Sequence, residues 1–113
     1  MARYDCELTG DADALVAHLD EAILRGSVSA SLEEQVEHRA GDARMVVRTY
    51  ERFSGFSSSR VSLTFAILAV GDHLGVSAVS TGGSRAMFFK IDTVGEGSFL
   101  GKAVAALESF PAA

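Results

Sequence analysis

The chain has 113 residues, 48% of them apolar, and carries 15 acidic against 10 basic side chains for a formal net charge of −5. That length fits a single domain, residues 1–113, able to bury its own core, and the apolar fraction is too high for intrinsic disorder. The negative balance argues against nucleic acid as a partner, because neutralising phosphates needs a basic surface.

The N-terminus runs Met1-Ala-Arg-Tyr-Asp-Cys without a charged-then-apolar leader, and no apolar run approaches the ~20 residues of a membrane helix. The expectation is a cytoplasmic protein with no membrane partner. One cysteine, Cys6, can form no internal disulfide and supply no cysteine-rich zinc site. Charge is uneven: the first 42 residues hold three basic and ten acidic side chains, the remainder seven and five. That split suits complementary faces within one domain.

Residues 3–9 alternate, with Tyr4, Cys6 and Leu8 on one side and Arg3, Asp5, Glu7 and Thr9 on the other, which is the pattern of a half-buried strand. Asp11 is placed to cap a helix over 12–25 whose stripe is Leu15, Leu19, Ala22 and Ile23, with Gly26 closing it. Strand signals then surround Gly41-Asp42, a two-residue turn that pairs Ala40 with Ala43, His38 with Met45, Val36 with Val47, Glu34 with Thr49 and Leu32 with Glu51. On the opposite face the same count sets Glu37 against Val46, Gln35 against Arg48, Glu33 against Tyr50 and Ser31 against Arg52. A strand over 60–70 turns at Gly71-Asp72 into one carrying Leu74, Val76 and Ala78 inward. Met87 to Ile91 reads as one more strand, and Ser98 caps a last helix with stripe Leu100, Ala103, Val104 and Leu107, closed by Phe110.

The predicted order is therefore β-α-β4(β)-α, an α+β fold in which a curved antiparallel sheet of five or six strands carries both helices on one face. This topology is similar to the halves of TATA-binding protein and to minimal helix-grip domains, an analogy of fold that carries no function.

Several residue groups invite a chemical reading. Arg44, Arg48 and Arg52 recur at spacing four, on one strand face with Val46 and Tyr50 between them; cross-strand pairing with Glu33 and Glu37 is favoured over an anion platform. Glu34 and Glu51 fall with Thr49 on the face assigned to the helices, where two carboxylates in a partly apolar cleft could exchange protons, with Arg25 a candidate partner for Glu51. Thr81-Gly82-Gly83-Ser84-Arg85 has the hydroxyls, glycines and arginine of an anion nest, although Gly-Gly is also ordinary turn chemistry. Gly95-Glu96-Gly97-Ser98 matches neither a dinucleotide fingerprint nor a P-loop. His18, His38 and His73 lack any metal-ligand spacing, and Cys6 reads as a buried structural thiol. No metal or cofactor is expected.

Tyr50-Glu51-Arg52, Arg60-Val61-Ser62, the stretch from Ser80 through Gly82-Gly83-Ser84-Arg85 to Phe88-Phe89-Lys90-Ile91, and Gly95-Glu96-Gly97-Ser98-Phe99-Leu100 together resemble a small bacterial family of single-domain proteins of unknown function. The resemblance implies a bacterial, cytoplasmic, free-standing domain and assigns no catalytic residue.

The leading functional expectation is a non-enzymatic domain, a homo-oligomer and first of all a dimer, that associates through the sheet face opposite the helices, with Val46, Tyr50, Leu68, Val70 and Val79 at the interface. A second expectation is a small-molecule cleft between sheet and helices, rimmed by Glu34, Thr49, Glu51, Gly82, Gly83, Ser84 and Arg85. A third is an enzyme using Glu34 or Glu51.

Overall fold

The computed structural model describes residues 2–54, 59–82 and 98–111. Their elements follow as β1 (Ala2–Thr9), α1 (Ala12–Arg25), β2 (Ser31–Ala40), β3 (Ala43–Ser54), β4 (Ser59–Val70), β5 (His73–Gly82) and α2 (Phe99–Glu108). The five strands form one sheet in the order β1-β5-β4-β3-β2, every neighbouring pair antiparallel. The additional strand over 87–91, the Gly95-Glu96-Gly97 stretch, and Gly83, Ser84 and Arg85 lie outside the described residues. No helix among the described residues is long and apolar enough to cross a membrane.

Local chemistry accounts for the boundaries. Asp11 has extended backbone, and its carboxylate accepts the Ala14 amide at 2.9 Å, starting α1; Ser98 does the same for Gly101 at 2.7 Å in α2. The hairpins β2-β3 and β4-β5 each close through two residues, with Gly41 at φ +57° and Gly71 at φ +60°, a left-handed backbone that glycine adopts without strain.

Alternation sends Val61, Leu63, Phe65, Ile67 and Ala69 of β4 to the same side as Leu74, Val76 and Ala78 of β5. There they meet Leu15, Leu19 and Ile23 of α1 and Phe99, Leu100, Ala103 and Leu107 of α2 in one core. Five strands are about 24 Å wide at ~4.8 Å each, whereas two packed helices cover about 20 Å. The helix layer therefore runs out before β2, and all ten β2 residues are exposed.

The register corrects the face expected for β3. The six pairs named from Ala40/Ala43 to Glu34/Thr49 match the predicted hairpin, but Glu33 is an extra residue in β2, so Leu32 pairs with Tyr50 and Ser31 with Glu51. On the other side of β3, Val46 pairs with Ile67 and Tyr50 with Leu63, both core residues of β4. Val46 and Tyr50 are accordingly buried beneath the helices instead of lying on the open face.

Arg44, Arg48 and Arg52 share that inner face, and the first two tie α1 to β3. Arg48 forks onto Asp20 of α1, with Nη2 at 2.7 Å from each carboxylate oxygen, and its Nε donates to the Tyr50 hydroxyl at 3.2 Å. The Tyr50 hydroxyl in turn donates to Asp20. Arg44 donates to Glu37 at 2.6 Å and to Asp13 at 2.6 Å. The match is geometric: four residues of strand advance about 13 Å and seven residues of helix about 10.5 Å, so two arginines reach two aspartates two turns apart. Arg52 ends the series over the Phe99 ring, 4.6 Å from its centroid. Of the acidic partners expected for these arginines, Glu37 is confirmed and Glu33 is not, since it sits in the bulge.

Asp20→Ala removes the carboxylate facing an arginine side chain only 6% exposed. It should cost about 3 kcal/mol in urea denaturation, most of it from leaving that charge unpaired. Asp13, largely exposed, should matter far less. Burial, reinforced by the hydrogen bond to Asp20, holds the Tyr50 phenol above its ordinary value. Below about pH 10 the phenol is protonated in the folded and unfolded chain alike and its contribution is complete. Above that pH the unfolded chain ionises first, so stability should fall as pH rises, with a shallower slope in Tyr50→Phe. Equal slopes would contradict this reading of the buried network.

Candidate functional site

With both helices on one side, the other face of the sheet carries no second layer among the described residues. The registers tile it into rows running from β2 to β1. One row is Ala40, Ala43, Val70, His73 and Thr9; the next is His38, Met45, Leu68, Gly75 and Glu7. Then come Val36, Val47, Ala66, Ser77 and Asp5, followed by Glu34, Thr49, Thr64, Val79 and Arg3. Val36, Met45, Leu68 and Val70 form an apolar area on this face, and all four are substantially exposed, Leu68 at 52%. Phe53, with Arg60 stacked 5.4 Å from its ring centroid, lies further along β3.

Ala66, Gly75 and Ser77 are small enough to let the surface dip, giving a trough of about 550 Å³ between Met45 and Leu68 on one side and Asp5 and Glu7 on the other. Asp5 is engaged at this rim, accepting from Ser77 at 2.6 Å and pairing with Arg3 at 3.1 Å. Glu7 lies 3.3 Å from His73. The far end of the face is a patch of mutually satisfied hydroxyls: Thr49 with Thr64 at 3.0 Å and Ser62 with Thr81 at 2.7 Å.

Glu34, Thr49 and Glu51 do share a face, as the hairpin count requires, but it is the open one. The helix side of the sheet carries the core cluster, and these residues point away from it. Glu34 accepts its neighbour Gln35's amide at 3.0 Å, and Glu51 is paired with Arg60 at 2.8 Å; Arg25, the partner expected for Glu51, bonds to Glu21. Gly82 pairs with Val61 at one corner of the sheet, with φ +93° and room for no Cβ, which would fall 2.7 Å from the Arg60 carbonyl oxygen. Of the expected interface residues, Leu68, Val70 and Val79 lie on the open face while Val46 and Tyr50 do not.

Cys6 faces inward on β1, half-buried, and burial pushes its thiol up. His18 bridges the helices, its Nε2 2.8 Å from the Ala106 carbonyl oxygen. His38 and His73 stand on separate strands of the open face, and no cluster of three or more potential metal ligands occurs among the described residues. Sequence reading overlooked Met45 and Gly75 as members of the open face. Gly75 had a usable signal, being a glycine inside a cleanly alternating strand with no turn to explain it.

No curated protein matches the chain, and no solved structure does. A match to a known family covers residues 1–111, nearly the whole length, in agreement with the resemblance read from the Tyr50, Arg60, Ser80–Ile91 and Gly95–Leu100 segments. The chain belongs to the family described as a family of unknown function, DUF6054.

Proposed function

We propose that this chain is a non-enzymatic domain that self-associates, with a second copy covering the open face of its sheet. The observation that supports this reading is the one-sided helix layer, which leaves Val36, Met45, Leu68 and Val70 exposed together. Four rows of a five-strand sheet span about 24 Å by about 27 Å, or about 650 Å², near the ~800 Å² per partner of a standard protein interface.

The sheet edges are poorer candidates. β2 carries the Glu33 bulge and the charges of Glu34, Glu37 and Arg39, and β1 presents Arg3, Asp5 and Glu7, all devices that discourage edge-to-edge pairing. The open face instead has an apolar middle and charged flanks, the layout of a protein interface. A second reading, a small apolar cation lodged beside Asp5 and Glu7, draws support from the trough, whose 550 Å³ falls within the ~300–1,000 Å³ of small-molecule sites.

Sedimentation velocity tests the first reading. The native chain should sediment as a dimer at micromolar concentration. Leu68→Glu, which sets an unpaired carboxylate in the middle of the face, should weaken association at least about 100-fold while leaving the circular dichroism unchanged. A native chain that stays monomeric across the whole concentration range overturns self-association. Extra mass retained by that monomer in native mass spectrometry would favour the trough ligand.

A further inference from the structure

We propose that the second copy docks across a two-fold axis lying in the open face along β4, so that Met45 of each protomer seats over the partner's Gly75. This rests on the self-association reading and specifies its geometry.

The argument begins with Gly75. Its backbone is not in the left-handed region, and a Cβ built on it would meet nothing nearer than the Leu68 carbonyl oxygen at 3.9 Å. Neither turn geometry nor local packing therefore calls for glycine here, although glycine inside a strand costs about 0.5–1 kcal/mol relative to alanine. A glycine so placed marks close approach from outside the sheet.

The register identifies what approaches. In the sheet order β1-β5-β4-β3-β2, β4 is the middle strand. Rotation by 180° about β4 exchanges β5 with β3 and β1 with β2, and it keeps each row opposite its own counterpart. In the row His38, Met45, Leu68, Gly75, Glu7, this sets Met45 over the partner's Gly75, Leu68 over the partner's Leu68 and Glu7 over the partner's His38. Two rows on, Arg3 comes opposite the partner's Glu34. A flexible thioether meets a notch, and two of the three β1 charges meet a complement, Arg3 with Glu34 and Glu7 with His38, while Asp5, which keeps its Ser77 bond within the chain, comes opposite Val36. Each contact occurs twice, as an isologous interface requires.

The other face-to-face two-fold, running across the strands, fails on charge. Placed across the apolar middle, between the Leu68 and Ala66 rows, it lays β1 over the partner's β1 and sets Glu7 against the partner's Asp5. The existing pairs of these groups do not oppose the β4 axis: Arg3 with Asp5 and His73 with Glu7 are all more than half exposed, and such pairs are weak and exchangeable. Aligned sheets pack about 10 Å apart with strands rotated by about 30°, so the corner contacts fall to Arg3 and Glu34, both long enough to follow the splay.

Charge exchange between two chains tests the axis. Arg3→Glu and Glu34→Arg are surface substitutions, each placing like charges at both corners of its own homodimer, and each should weaken self-association by about tenfold or more. Mixed together, the two variants restore both corner pairs. Native mass spectrometry of the mixture should then show heterodimer in large excess over the 1:2:1 statistical ratio, with an affinity within about threefold of the native dimer. A statistical mixture, or single variants that dimerise as the native chain does, overturns the β4 axis while leaving self-association intact. A native chain that never dimerises overturns both.

Discussion

The Asp20 carboxylate is the contact on which the arrangement of this molecule depends. It receives both the Arg48 guanidinium and the Tyr50 hydroxyl, fastening α1 to the inner side of β3. α2 then occupies the remaining width over β4, β5 and β1, held to α1 by the bond from His18 to the Ala106 carbonyl. Once both helices are committed to one side, nothing in the described chain covers the other. The open face and the overhanging β2 are thus consequences of where the helices are tied.

Much of this was legible from sequence because it is set by short-range chemistry. The first helix, its Asp11 cap, the Gly41 and Gly71 turns and the inward residues of β4 and β5 all follow from spacing and from residues with strong conformational preferences. The face of β3 was not legible in the same way. Arg44, Arg48 and Arg52 give the inner side of that strand a polar appearance, and a polar row reads as solvent-facing unless its acidic partners are located. Those partners, Asp13 and Asp20, sit on a helix some thirty residues away. Their separation of seven, two turns of one helix face, was the only trace of the pairing in the sequence.

The Glu33 bulge escaped for a related reason. An extra residue in a strand leaves no mark in an alternating pattern of exposed charges, and every residue of β2 is exposed. The site expectation inherited both errors. Glu34, Thr49 and Glu51 were correctly grouped, yet the face they were assigned to carries the core cluster, and the surface they occupy is the open one. Gly82, at the corner of the sheet, is explained by its close approach to the Arg60 carbonyl without any ligand.

The open face of this family member therefore combines an apolar area around Met45, Leu68 and Val70, a shallow trough at Gly75, and charged residues at its corners. The most direct test of that account is oxidative footprinting of Met45 across a dilution series, because the thioether stands in the middle of the face and is 38% exposed in the single chain. Oxidation of Met45 should slow several-fold as the concentration rises through the dimerisation range, whereas the half-buried Cys6 on the opposite face should react at a constant rate. Met45 oxidising equally fast at every concentration would show that nothing covers the sheet, and the account would fail at its centre.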